Sequence, residues 1–144
     1  MLVVHPSLPV KSVKDLIALA KARPSELNYL FGSVGSSVHL AGELFRQMAD
    51  IKLVYVAYKI SAQAVTSVIS GEVQLTINDV GLLMPHVKTG RLRLLGVTSA
   101  EPSPLAPGLP SLAGSGVPGY ESVGITGMFA PAKTPEAIIK RLNE

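Results

Sequence analysis

Apolar and polar residues along this chain switch between a period of two and a period near 3.6, and the switches mark out its elements. Leu2-Val3-Val4 is a short β-branched run stopped by Pro6 and Pro9, as at the end of a buried strand. From Ser12 to Arg23 the period is helical. Val13, Leu16, Ile17 and Ala20 share one face, Ser12 and Asp15 have capping-box spacing, and Pro24 ends the run. Leu27 to Phe31 is strand-like. Gly32-Ser33-Val34-Gly35-Ser36-Ser37 then turns the chain into a second helix over Val38 to Met48, with Leu40, Leu44, Phe45 and Met48 as its apolar stripe.

The unit repeats. Lys52 to Ala57 alternates like a strand, Ser61 to Ser70 reads as a helix closed by Gly71, and Val73 to Ile77 is a strand. Val80 to Thr89 is a helical stretch interrupted by Pro85 and closed by Gly90, and Leu92 to Val97 is the next strand. Strands alternating with helices of this length predict βαβ units. The fold class is α/β, a mainly parallel sheet with helices on both faces. Ala100 to Gly119 breaks the pattern with Pro102, Pro104, Pro107, Pro110 and Pro118, which exclude a continuous helix or central strand. Ser122 to Phe129 reads as one further strand, and Thr134-Pro135-Glu136 as the start of a last helix, with Thr134 as N-cap. Residues 1–99 thus form the α/β body, residues 100–120 a Pro/Gly-rich crossover and residues 121–144 a strand–helix segment.

Composition narrows the function. A chain of 144 residues with 47% hydrophobic and 16% charged residues is one folded domain rather than a disordered segment. Cysteine is absent, which removes disulfides, thiolate metal sites and cysteine nucleophiles. The formal charge of +3 comes from scattered basic residues with no stripe and few aromatics for base stacking, so nucleic acid is not the expected partner. The sign favours small anions. No apolar run reaches the roughly 20 residues that cross a bilayer, and the first residues do not form a signal peptide.

Ligands of open α/β sheets sit where strands lead into helices, and three such junctions carry usable chemistry. In the first, Ser33, Gly35, Ser36 and Ser37 combine close backbone approach, hydroxyl donors and the free N–H groups of a helix start. That is a cradle for a carboxylate or phosphate, and equally a Ser N-cap on a glycine turn. The second offers Tyr58 and Lys59, the third Asn78 and Asp79, which also suit a helix cap. Sharper motifs fail. Gly114 to Gly119 spells G-x-G-x-x-G but precedes a strand, with Pro118 where a helix should begin. No P-loop and no G-x-S-x-G elbow is present. His5, His39 and His86 lack metal-ligand spacing, and His39 fits a hydrogen-bonded packing role. No catalytic constellation and no cofactor motif emerges, which favours binding over catalysis.

Longer strings carry a resemblance. Leu2 to Ile17, Gly35-Ser36-Ser37-Val38-His39-Leu40-Ala41-Gly42-Glu43-Leu44-Phe45, Tyr55-Val56-Ala57-Tyr58-Lys59, Gly90 to Ser99, Gly116 to Tyr120 and Ala130 to Pro135 are similar to the Bug family. These are the extracytoplasmic solute receptors of tripartite tricarboxylate transporters. The resemblance implies a type II periplasmic-binding-protein fold, a periplasmic location, a small carboxylate ligand and a membrane permease as partner. It implies no enzyme activity, metal or cofactor. It also implies that the chain is mainly the second of two lobes, its last segment returning to a first lobe that precedes it, and that family members continue past Glu144.

Carried over residue by residue, Gly35, Ser36 and Ser37 match the family's carboxylate-holding loop, Tyr58 and Lys59 its Tyr-Lys turn, and Asn78 or Asp79 its third loop. Ser33 stands where the family has a small Gly, Leu30-Phe31 where it has Gly-Ser, and Ile60-Ser61-Ala62-Gln63 where it tends to Gly-Gly-Ala-Pro. Bulkier residues at both loops are expected to narrow the pocket, change its ligand or abolish binding. Two other readings stand beside the receptor. One is a remnant that self-associates through the open inter-lobe face. The other is an enzyme on an anionic substrate using Asp79, Lys59 or Tyr58.

Overall fold

The computed structural model describes residues 1–58, 61–103, 106–124 and 128–143, with the backbone alone for residues 61–63. Its strands are β1 (Leu2–Val4), β2 (Asn28–Phe31), β3 (Val54–Ala57), β4 (Leu75–Ile77) and β5 (Arg93–Gly96). Its helices are α1 (Val13–Ala22), α2 (Ser37–Met48), α3 (Ser61–Ile69), α4 (Val80–Lys88) and α5 (Glu136–Leu142), with a 3-10 turn at Ala113–Ser115.

The strands form one sheet in the order β3-β2-β4-β1-β5. β2 pairs in parallel with β3 and β4, whereas β1 is antiparallel to both neighbours, β4 and β5. The α/β class holds, and the direction of β1 departs from a simple run of βαβ units. Its cause is plain: a strand buried on both faces is an unbroken apolar run whichever way it points.

Alternation along the strands sorts the core into two clusters. Leu2, Val4, Tyr29, Phe31, Leu75 and Ile77 face Val13, Leu16 and Ala20 of α1 and Ala41 and Phe45 of α2. Val3 and Leu30 face Ala64, Val65 and Val68 of α3 and Leu83 of α4. Helices therefore cover both faces. The Pro/Gly crossover is held to this body. Val97 N–H donates to Pro110 O at 3.0 Å and Leu112 N–H to Val97 O at 2.9 Å. Buried Tyr120 donates its hydroxyl to Ala41 O at 3.0 Å, with its ring edge-on to Phe45. Gly116, the middle glycine of the rejected dinucleotide motif, packs on Lys14 of α1 with φ at 121°.

The last segment corrects two expectations. Residues 122–124 and 128–129 form no strand, and among the described residues they join no ladder of the sheet. Val123, Met128 and Phe129 are exposed, Phe129 to 94%. The final helix starts one residue late, with Pro135 at its cap and no side-chain capping bond, while Thr134 N–H turns back to Pro131 O at 2.9 Å. No residue of α5 is buried.

Candidate functional site

The loops that leave β2 and β4 meet above the sheet in a cleft of about 200 Å³. The start of α2 contributes Ser37, Val38 and Ala41, and the start of α4 contributes Asn78, Asp79 and Val80. Thr98 and Ser99, beyond β5, line it together with Ser103, Ser122 and Gly124. The crossover's return makes this last wall: Ser122 N–H donates to Thr98 O at 2.8 Å.

Each helix start leaves its first N–H groups without an intrahelical acceptor. On α2, Ser36 is the N-cap and its Oγ accepts the His39 N–H at 3.3 Å, which satisfies the third position and leaves those of Ser37 and Val38. On α4, Asp79 is the N-cap but its side chain makes no capping bond. Its own N–H goes to Asn78 Oδ1 at 2.9 Å, and its Oδ1 faces Gly124 across the cleft. Two helix N-termini, each with roughly half a positive charge, thus point into one hydroxyl-lined space. No Lys or Arg is among the described residues that line it. The Met1 nitrogen donates to Asn78 O at 2.7 Å, and Met1 itself lines the cleft.

Of the residues expected from sequence, the structure brings Ser37, Asn78 and Asp79 into this cleft. Ser33, Gly35 and Ser36 form the adjoining turn, closed by Ser36 N–H on Ser33 O at 3.1 Å, with Gly35 at φ 82°. Tyr58 follows β3, its N–H on Phe31 O at 3.0 Å, and its ring packs on the α3/α4 cluster instead of the cleft. Lys59 lies outside the described residues. Sequence reading missed Thr98, Ser99, Ser103 and Ser122, which no local pattern marks, because a long return brings two of them back to the sheet edge.

Below the turn, His39 rests on Phe31 at 4.7 Å and against Tyr55 at 5.8 Å between ring centroids. Its Nδ1 accepts the Gly35 N–H at 3.3 Å. Tyr55 Oη is buried without a partner of good hydrogen-bond geometry, and burial first, then Glu43, pushes the phenol's pKa up. Glu43 pairs with Arg46 at 2.9 Å, a bond that holds its carboxyl below the usual range.

The family model described as the tripartite tricarboxylate transporter family receptor matches residues 1–144, the whole chain. This chain belongs to that receptor family. Among its curated relatives are Protein BugT of Bordetella pertussis, 33% identical over 99% of this chain and 44% of that protein. The UPF0065 protein in the tcbD-tcbE intergenic region of a Pseudomonas species is likewise 33% identical, over 99% of this chain and 43% of its own length. The chain thus spans under half the length of these receptors. Of the solved structures, R. palustris Rpa4515 with adipate superposes with a TM-score of 0.85 at 41% identity, covering 99% of this chain and 48% of that one. The periplasmic binding protein BugD gives 0.84 at 26% identity, covering 98% and 47%. Members of this receptor family are solute-binding proteins, and the fold of this chain is theirs.

Proposed function

We propose that this chain is the second lobe of a periplasmic receptor that binds a small carboxylate for a tripartite tricarboxylate-type transporter. The observation that carries the reading is the convergence of the α2 and α4 N-termini on one cleft. A carboxylate placed there accepts N–H groups that have no other acceptor and meets Ser37 Oγ, at a site where helix dipoles favour negative charge. The adipate bound by Rpa4515, which is 41% identical to this chain over 48% of its own length, supports a dicarboxylate of that kind. Binding needs no covalent step and no cofactor, and a membrane permease is the partner that receives the ligand.

In this reading, residues 1–99 form the lobe, residues 100–120 cross over and residues 121–144 return to the first lobe of the longer receptor. Closure of the two lobes on the carboxylate is then the change that the permease detects. The test is thermal unfolding against mono-, di- and tricarboxylates. Ligand at about a hundred times its Kd stabilises a folded protein by roughly 2.7 kcal/mol. A shift specific to some carboxylates, reduced by Ser37→Ala, supports the site; equal shifts with neutral analogues contradict it.

A second reading rests on the apolar surface of the last segment. Met128, Phe129, Ile139 and Leu142 are all exposed and border one groove. Such a surface suits association between copies when the first lobe does not cover it. A mass that rises with concentration, and reverts to monomer in Phe129→Ser/Leu142→Ser, supports this second reading.

A further inference from the structure

The turn before α2 is closed by a variant of the capping box. In the usual box the N-cap Ser bonds the N–H of the third helical residue, and a Glu or Gln there reaches back to the N-cap. Here Ser36 Oγ accepts the N–H of His39, the third residue of α2, and it is the imidazole of His39 that reaches back, to the N–H of Gly35. The bond reaches the residue before the N-cap, as Asp15 reaches Lys11 in α1, and here that residue is the glycine whose φ of 82° shapes the turn. An imidazole nitrogen accepts only while it carries no proton, so Nδ1 is bare and the ring hydrogen sits on Nε2.

The ring has little freedom to do otherwise. Phe31 of β2 and Tyr55 of β3 flank it. The titratable groups around it are few. β2 presents the uncharged Phe31. β3 presents the Tyr55 phenol, which burial keeps neutral. One turn along α2 stands the Glu43 carboxylate, paired with Arg46. The Gly35 N–H takes the lone pair of Nδ1, and that bond is lost as soon as the ring becomes cationic.

We infer that His39 is the positioning residue of the binding loop: its unprotonated Nδ1 holds Gly35 and the turn in the shape that presents Ser37 and Val38 to the cleft, so carboxylate binding weakens when the imidazole gains a proton. The inference rests on the carboxylate reading of the cleft. It assigns His39 a role beyond packing, although the residue does not line the cleft. Histidine side chains change charge between roughly pH 5 and 8, whereas the Glu of an ordinary capping box stays ionised there.

The experiment uses the full chain labelled with 15N, with adipate as the probe. The Gly35 amide and the His39 ring are followed through that pH interval without ligand, and adipate affinity is measured at its two ends. The Gly35 amide moves with the same midpoint as the ring, and affinity falls about fivefold on acidification, the worth of one hydrogen bond. His39→Asn keeps an acceptor where Nδ1 stands and cannot gain a proton. It retains binding and shows only the pH dependence of adipate's own ionisation. His39→Phe keeps a ring between Phe31 and Tyr55 but has no acceptor, and binds about fivefold more weakly at both ends.

Wild-type affinity in His39→Phe overturns the inference. So does a Gly35 amide that stays still while the ring titrates, a result that needs no variant to fold. If the amide follows the ring but neither adipate nor any other carboxylate binds, the carboxylate reading falls and the link from His39 to binding falls with it. The coupling of His39 to Gly35 then stands alone.

Discussion

Gly42 of α2 lies directly on the ring of Tyr29 in β2: a Cβ built on Gly42 would fall among Tyr29 Cε1, Cζ and Oη. The same phenol donates to Val38 O at 2.6 Å. One side chain thus sets both the distance and the axial position of the helix whose first turn lines the cleft. Gly42→Ala is expected to destabilise the fold by about 1–3 kcal/mol through overpacking, read from urea unfolding. Tyr29→Phe keeps the packing and loses only the bond to Val38, at about 1 kcal/mol. A neutral Gly42→Ala would show that α2 can lift from the sheet.

Ser36 and Ser37 are neighbours with different tasks. Ser36→Ala removes the N-cap of α2 and is expected to cost about 1 kcal/mol of stability. Ser37 lines the cleft and holds no cap, so Ser37→Ala is expected to change stability by less than about 0.5 kcal/mol while weakening carboxylate binding. Measuring both quantities on both variants separates cap from contact.

Tyr120 ties the crossover to α2 through Ala41 O. Tyr120→Phe is expected to lower stability by about 1 kcal/mol, and hydrogen exchange should rise over residues 110–122 more than over β2. Uniform exchange would mean that the crossover is held by other contacts.

Asp15 sits in the capping box of α1, accepting the Lys11 N–H at 3.0 Å, with Ser12 Oγ accepting its own N–H. The Lys11 bond first, and Ser12 next, hold its carboxyl below the usual 3.8. A lowered folded-state pKa contributes stability that is present above 3.8 and is lost as pH falls through the lower folded value. Asp15→Asn is therefore expected to flatten part of the acid limb of the stability curve, measured as the urea midpoint against pH. An unchanged acid limb would mean that the box does not persist in solution.

Period and punctuation in the sequence carried the alternation of strands and helices, because Val13-Leu16-Ala20 and Leu27–Phe31 bury what their spacing says they bury. The direction of β1 was not legible, since Leu2-Val3-Val4 is apolar throughout. Nor was the absence of a strand over residues 122–124, which join no ladder among the described residues. The cleft was half legible. Ser37, Asn78 and Asp79 stand at helix starts that sequence marks, whereas Thr98 and Ser122 meet only because the crossover returns. His39 looked like packing, and packs, but its ring also completes a cap that no Ser-x-x-Glu pattern announces.

The most direct test of the account is a carboxylate titration followed through the backbone amides of the labelled chain. Binding at the converging helix starts predicts that adipate or a related carboxylate shifts Ser37, Val38, Asp79 and Val80 together, with one saturating midpoint, and that Ser37→Ala weakens the titration. Saturable shifts confined elsewhere, such as the apolar groove between Pro6, Met84 and Leu109, would contradict it, as would carboxylates that move none of these amides.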